Sequence, residues 1–307
     1  MESWANARFE SVSISNRLRA LTATKRSPPS ASFLAIVAAA SLLSCRQLSW
    51  AQPPASPSGA SQNPSCDRKN FRVALDVGHD RIRPGATSAR GVTEHAYNRE
   101  LARSVLQALR ATGFNDAFVV EENDEPLALM ARPALARARN AKLFISLHHD
   151  SVQRRYLSSW TFQGRMLQYS DTFHGYSIFI SEASKQAKEN LALASDLGHA
   201  LRAEGLTPSL HHAERIPGEG RKLIDPSLGI YQFDELAVLR GATMPALLLE
   251  SAIIVNRDEE AAIQSGQYHP KVVTAIVHAV SQFCGNPQVL HDGPAIPGGA
   301  GVPKALE

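Results

Sequence analysis

Short apolar runs alternate with longer stretches in which apolar residues recur at helical spacing. The apolar runs, which are rich in valine, leucine and isoleucine, predict β-strands over residues 71–76, 117–120, 142–147, 176–181 and 246–251. The helical stretches predict α-helices over residues 94–112, 127–140, 184–204 and 269–283. This alternation predicts a single α/β domain with a largely parallel sheet and helices on both faces.

Two segments lack a clear period, residues 151–175 and residues 205–235. Irregular stretches of this length in a compact domain are usually functional or mobile. The first contains several arginines and aromatic residues, among them Trp160 and Phe162. These side chains suit either the binding of sugar or peptide, or packing on one another, and the sequence leaves both open.

The ends of the chain differ in composition from the predicted domain. Basic residues precede an apolar stretch at residues 31–45, which is too short and too rich in small residues for a comfortable membrane span. We therefore expect a signal peptide over residues 1–51, with an exported, periplasmic product; the alternative is a lipoprotein anchored at Cys45. A flexible Pro/Ser-rich linker follows over residues 52–65, and a disordered tail is expected over residues 285–307.

The remaining residues, 66–284, form the predicted folded domain, and a cysteine stands at each of its ends. Cys66 and Cys284 could form a disulfide in an oxidising compartment, or remain two free thiols. The chain of 307 residues is 44% hydrophobic and 20% charged, an ordinary globular balance. Its formal net charge of +3 is too small to indicate nucleic acid as a partner.

Candidate metal ligands stand at the ends of predicted elements. His79 and His148 each follow or end a strand, and Glu94 begins a helix. Because the carboxyl edge of a parallel sheet is where α/β folds place their sites, we expect these side chains to converge there. Two imidazoles and a carboxylate with one open position form a hydrolytic zinc site, and Glu250, which ends another strand, would supply a general base.

Other histidines compete for these roles. His149 is the formal alternative to His148, although strand alternation directs it to the opposite face of the sheet. His211, His212 and Glu214 form a further possible metal cluster in the second irregular segment, without helical spacing to orient them.

Several motifs, taken in order, resemble the zinc-dependent N-acetylmuramoyl-L-alanine amidases, which cut cell-wall peptidoglycan. The resemblance extends from about Val73 to Phe283 and includes the following segments: Asp76-Val77-Gly78-His79, Pro84-Gly85-Ala86, Glu94-His95-Ala96-Tyr97-Asn98, Arg132, Ser146-Leu147-His148-His149-Asp150, Pro245-Ala246-Leu247-Leu248-Leu249-Glu250 and Asn256. The pattern departs from the family at Asp80 and Arg81, where two glycines are usual.

The resemblance implies that His79, Glu94 and His148 bind one Zn²⁺ and that Glu250 is the catalytic carboxylate. It implies hydrolysis of the amide bond between N-acetylmuramic acid and L-alanine in peptidoglycan. Residues expected to contact substrate or to orient the ligands are Asp150, Arg132 and Asn256.

The alternatives are a zinc peptidase or amidase of the same fold acting on another substrate, and a non-catalytic peptidoglycan-binding module. The family also includes members that are blocked by an internal segment and released by a regulatory activator protein. Residues 205–235 are long enough for such a segment, with Glu214 or Glu219 at the open zinc position. Contact with a membrane is expected only if Cys45 is lipid-anchored.

Overall fold

A seven-stranded sheet organises the part of the chain that the computed structural model describes, residues 66–121 and 125–285. The strands are β1 (Val73–Val77), β2 (Phe118–Val119), β3 (Leu143–Asp150), β6 (Ser177–Ile180), β7 (Lys222–Asp225), β8 (Ile230–Gln232) and β9 (Ala246–Ile253). A separate hairpin pairs β4 (Ser158–Phe162) with β5 (Arg165–Tyr169). The predicted signal peptide, the linker, Cys45 and the tail beyond residue 285 lie outside the described residues.

The described residues contain six α-helices: α1 (Glu94–Ala111), α2 (Ala131–Ala138), α3 (Ala187–Ala203), α4 (Ala237–Arg240), α5 (Arg257–Gln264) and α6 (His269–Cys284). Four of them, α1, α2, α3 and α6, lie in stretches that the sequence predicts as helical, whereas the short helices α4 and α5 were not predicted. Within the described residues, no helix combines the length and the apolar character that crossing a membrane requires.

The strand order is β2-β1-β3-β9-β6-β8-β7. The pairs that join β1, β2, β3 and β9 are parallel, whereas β6 runs antiparallel to β9 and β7 runs antiparallel to β8. The prediction of a largely parallel sheet is therefore confirmed. The central position of β3 between β1 and β9 brings the ends of these three strands together at one edge.

Apolar side chains alternate between two cores, one on each face of the sheet. Helices α1, α3 and α6 pack on one face, where Leu101, Leu197 and Ile276 are buried. Helices α2 and α4 cover the other face through residues such as Ala136 and Leu239. Strands buried on both faces are nearly continuous in hydrophobicity, as the sequence of β9 illustrates.

The structure differs from the sequence-based prediction in one helix and in both irregular segments. Helix α2 begins at Ala131 rather than at residue 127, because Pro133 fits the first turn of a helix but would break its interior. The first irregular segment contains the β4–β5 hairpin, in which Trp160 stacks on Phe162 with ring centroids 5.2 Å apart. The second contains the short strands β7 and β8, which extend the sheet at its edge.

A disulfide joins Cys66 to Cys284, across a sequence separation of 218 residues. It links the segment before β1 to the end of α6. Of the two possibilities that the sequence leaves open, the structure has the disulfide.

Candidate metal centre

The strand register places two of the candidate ligands side by side. Gly78 continues β1 by donating a backbone hydrogen bond to Leu147 (2.9 Å), so His79 emerges beside the end of β3. His148 lies in the last part of β3. Glu94 is the first residue of α1, where the positive end of the helix dipole favours a carboxylate.

These three side chains, which we call the triad, converge on one point. The Nε2 atom of His79 lies 3.0 Å from one carboxylate oxygen of Glu94, and the Nδ1 atom of His148 lies 3.0 Å from the other. Burial alone would raise the pKa of Glu94, but hydrogen bonds from His148 and His79 hold it well below the ordinary value. The carboxylate is therefore ionised, as a metal ligand must be.

Two glycines leave the space that the triad occupies. A Cβ atom on Gly78 would lie 2.5 Å from the imidazole ring of His148. A Cβ atom on Gly85 would overlap the carboxylate of Glu94 and would lie 2.7 Å from Cδ2 of His79. Gly85 also has a φ of +76°, which side-chain-bearing residues rarely adopt. Glycine is thus required at both positions if the ligands are to meet.

Glu250 stands next to the triad without joining it. The register pairs His148 with Glu250 across β3 and β9, and their nearest side-chain atoms are 3.9 Å apart. One oxygen of Glu250, Oε2, is buried and makes no hydrogen bond within the described residues. Burial raises the pKa of Glu250 well above its ordinary value, and the charges on Asp150 and Glu94 raise it further.

This arrangement fits a metal ion with a general base beside it. The donor atoms of His79, Glu94 and His148 all lie within 4.8 Å of one another. Two imidazole nitrogens and a carboxylate oxygen are the donor set of a hydrolytic zinc site with an open position. A buried carboxylate oxygen without a partner is costly, and a water molecule at that open position would supply one.

Arg132 supports the loop that carries His79. Its guanidinium is almost fully buried, pairs with Asp76 at 3.1 Å, and donates to the backbone oxygens of Val77 and His79. Ser146 donates to the other oxygen of Asp76 at 2.6 Å. The structure therefore places Arg132 beneath the triad, in contact with the backbone of a candidate ligand.

The unusual residue after His79 closes this loop on itself. Asp80 is buried and accepts hydrogen bonds from the backbone of Ile82 and from both the backbone and the guanidinium of Arg83. His79 itself has a φ of +67°, a conformation that the loop imposes. The loop thus gains internal hydrogen bonds where the family pattern has glycine.

His149 points away from the triad, as strand alternation predicts. Its Nδ1 atom lies 2.7 Å from the side-chain oxygen of Asn98, and its Nε2 atom lies 3.0 Å from Nε2 of His269 in α6. Because the amide oxygen only accepts, His149 donates from Nδ1 and receives a hydrogen bond from His269. Both imidazoles are buried, and burial lowers the pKa of each.

The two remaining predicted residues have other partners. Asp150 lies against His211 and His212, at 3.3 Å and 2.8 Å, rather than against the triad. Asn256 is buried and caps helix α5 by accepting from the backbone of Asp258 and Glu259. The cluster that the sequence indicates at His211 and His212 therefore takes Asp150 as its carboxylate instead of Glu214. Asp150 is 61 and 62 positions away from these two histidines, and no local pattern indicates the pairing.

Glu214 and Glu219, which the sequence suggests as blocking residues for the open position of the triad, have other partners in the structure. Glu214 accepts a hydrogen bond from Tyr156 at 3.0 Å. Glu219 pairs with Nδ1 of His212 at 2.9 Å and accepts from Gln153 at 2.7 Å. Both carboxylates are held by partners in the irregular segments.

Comparisons with a family model and with individual known proteins point to the same family. Residues 73–282 match the family model described as N-acetylmuramoyl-L-alanine amidase. The chain is 27% identical over 236 residues to N-acetylmuramoyl-L-alanine amidase AmiC of Neisseria meningitidis, covering 72% of this chain and 54% of that protein. It is 24% identical to AmiA of Escherichia coli, covering 69% of this chain and 75% of AmiA. The chain thus spans about half the length of the first relative and three quarters of the second.

Solved structures show the same fold. The amidase Ami1 of Mycobacterium smegmatis superposes with a TM-score of 0.56 at 20% identity, covering 70% of this chain and 97% of Ami1. The catalytic domain of CwlV from Bacillus (Paenibacillus) polymyxa gives a TM-score of 0.51 at 22% identity, covering 69% of this chain and 97% of that one.

Proposed function

The chain belongs to the N-acetylmuramoyl-L-alanine amidase family, and we propose that it hydrolyses the amide bond between N-acetylmuramic acid and L-alanine in peptidoglycan. In this proposal His79, Glu94 and His148 hold one zinc ion, and Glu250 is the catalytic carboxylate. The observation that carries the proposal is the position of Glu250, which is paired in register with His148 and has one buried oxygen without a hydrogen-bond partner in the described part of the chain.

Each residue has a definite task in the reaction. When bound at the triad, zinc supplies a Lewis acid that polarises the scissile carbonyl and makes water a stronger acid. Glu250 accepts a proton from the attacking water and delivers it to the nitrogen of the leaving L-alanine.

Arg132 acts as a positioning residue. It holds the backbone on both sides of Gly78 by donating to Val77 and His79, and it is itself fixed by Asp76. Groups that orient metal ligands in this way affect metal affinity although they do not touch the metal.

We further propose that the protein acts outside the cytoplasm, on the cell wall. The disulfide between Cys66 and Cys284 supports this location, because disulfides persist in oxidising compartments. A lipid anchor at Cys45 is the alternative to a free periplasmic protein. Globomycin treatment of expressing cells separates the two: accumulation of an uncleaved precursor supports the lipoprotein, and normal processing supports the free form.

Product analysis of digested peptidoglycan tests the proposed activity. We expect the purified, zinc-loaded chain to release stem peptides that begin with L-alanine and to leave glycan strands without peptide. Chelation should stop the release and added zinc should restore it.

The two alternative functions predict different products. Cleavage confined to bonds within the stem peptide would replace the amidase with a zinc peptidase. Binding to insoluble peptidoglycan without release of any fragment would indicate a non-catalytic module. Because the purified chain is tested alone, turnover would also show that an activator protein is not required.

A further inference from the structure

A second group of potential metal ligands lies near the triad, on residues that the proposed amidase reaction does not use. It consists of Asp150 at the end of β3 and of His211 and His212, which begin a 3₁₀ turn at residues 211–213. We propose that these three residues bind a second divalent transition-metal ion of the zinc type. This proposal does not rest on the amidase activity.

The ligand atoms have the spacing that such an ion needs. Oδ2 of Asp150 lies 2.8 Å from Nε2 of His212 and 3.3 Å from Nε2 of His211. In a tetrahedral zinc site with ligand distances of about 2.0–2.1 Å, neighbouring ligand atoms are about 3.3 Å apart. The rings of His211 and His212 have centroids 3.9 Å apart and are inclined by 36°. All three donor atoms lie within 4.8 Å of one another.

The far side of each imidazole is already held. Nδ1 of His211 lies 2.9 Å from the hydroxyl of Ser209, and Nδ1 of His212 lies 2.9 Å from a carboxylate oxygen of Glu219. Gln153 donates to the other oxygen of Glu219. Metal-binding histidines usually hold their second nitrogen in this way, since the partner fixes the orientation of the ring. With Nδ1 engaged, each imidazole presents Nε2 to the shared point.

One atom distinguishes a metal from a proton at this point. His211 is 2% exposed, and its Nε2 atom makes no hydrogen bond of acceptable geometry within the described residues. A doubly protonated His212 donates from Nε2 to Asp150 and from Nδ1 to Glu219, but it leaves Nε2 of His211 without a partner. A metal ion bonded to Asp150, His211 and His212 gives all three inward-facing atoms a partner, which removes the cost of the buried unsatisfied nitrogen.

The charge and the accessibility of the cluster also suit a divalent cation. Asp150 and Glu219 bring two carboxylates to two imidazoles, so a divalent ion is balanced by its surroundings. The side chains of Asp150 and His212 each retain 13% exposure, which gives an ion from solution a route to the site. A metal here would join the irregular segment at residues 205–235 to the end of β3.

Metal stoichiometry tests the proposal directly. We expect zinc-saturated wild type to hold about two equivalents by mass spectrometry of metal content, and the double variant His211→Asn/His212→Asn to hold about one. His79→Asn, which alters only the triad, should also hold about one. His199→Asn, an exposed histidine on α3, should hold as much as wild type.

The variants separate failure of this proposal from failure of the proposed function. A wild type with one equivalent that is kept in the double variant and lost in His79→Asn would overturn the second site and leave the triad intact. Loss of one equivalent in the double variant combined with no amidase activity in wild type would support the second site and overturn the proposed function.

A measurement on wild type removes dependence on the folding of the double variant. We expect hydrogen exchange at residues 209–214 to slow when zinc is raised from one equivalent to two. Exchange there that does not respond to the second equivalent would contradict the proposal.

Discussion

His148 and His149 are neighbours in β3, yet their side chains enter two different environments. His148 faces Glu94 and Glu250 at the carboxyl edge, and its side chain is 15% exposed. His149 faces the core under α1 and α6, where both of its nitrogens have hydrogen-bond partners. Beside His148, one carboxylate oxygen of Glu250 has no hydrogen-bond partner within the described residues, whereas both ring nitrogens of His149 are paired. Residue type alone therefore does not identify a ligand; the open bonding capacity around it does.

The side of β3 that carries His148, next to Glu94 and Glu250, is called the open face here. The largest effect on it is expected from Glu250→Gln. Glutamine keeps the shape of the side chain but cannot take a proton from water, so we expect amidase turnover to fall by about 10²–10⁴-fold. Zinc content should stay unchanged, because Glu250 is not a ligand. Turnover assays on peptidoglycan and metal analysis of the same sample check both. Turnover within a few-fold of wild type would remove Glu250 from the mechanism.

The opposite side of β3, the closed face, carries the buried pair of His149 and His269. This pair should control the stability of the fold in acid. Burial lowers the pKa of His269 to about 4, against an ordinary value of 6.5. Between these values the unfolded chain binds more protons than the folded one, so stability is fully present above pH 6.5 and is lost as the pH falls toward 4. The loss is on the order of 3 kcal/mol in the free energy of unfolding. Denaturant unfolding measured across this range checks it.

Two matched variants test whether His269 causes this pH dependence of the free energy of unfolding. His269→Gln should flatten the pH dependence between 6.5 and 4. His278→Gln, at an exposed position on the same helix, should leave it as in wild type. An equal slope in all three proteins would mean that the buried pair does not determine acid stability.

A smaller effect is expected from the support beneath the open face. In Arg132→Lys a single ammonium replaces a fork that reaches Asp76, Val77 and His79, so the loop before the triad loses contacts. We expect zinc affinity to fall by about 10–100-fold, as measured by competition with a chelating dye. Arg137→Lys, at an exposed position of the same helix, is the control. Equal affinity in both variants would assign Arg132 a purely structural role.

The sequence predicts the open face well because its residues stand at the ends of regular elements. His79, His148 and Glu250 each follow or end an apolar run, and parallel strands bring such ends to one edge. Alternation within β3 also separates His148 from His149 correctly. The start of α2 was predicted four residues too early, because the position of Pro133 limits where that helix can begin.

The partners of Asp150 could not be predicted in the same way. His211 and His212 lie in a segment without helical or strand periodicity, so nothing in the sequence fixes which carboxylate they meet. The β4–β5 hairpin was missed for a related reason. Its stability comes from contacts across the strands, such as Trp160 with Tyr169, rather than from a clear apolar alternation.

The contrast between the two neighbouring histidines is tested most directly by zinc content in His148→Asn and His149→Asn. We predict that His148→Asn loses one equivalent of zinc relative to wild type and that the two proteins, compared without zinc, unfold at a similar denaturant concentration. We predict that His149→Asn keeps all of its zinc but loses about 1–3 kcal/mol of stability, because the hydrogen-bond partners at Asn98 and His269 are left incomplete. Retention of full zinc content by His148→Asn, or loss of an equivalent in a folded His149→Asn, would contradict the account.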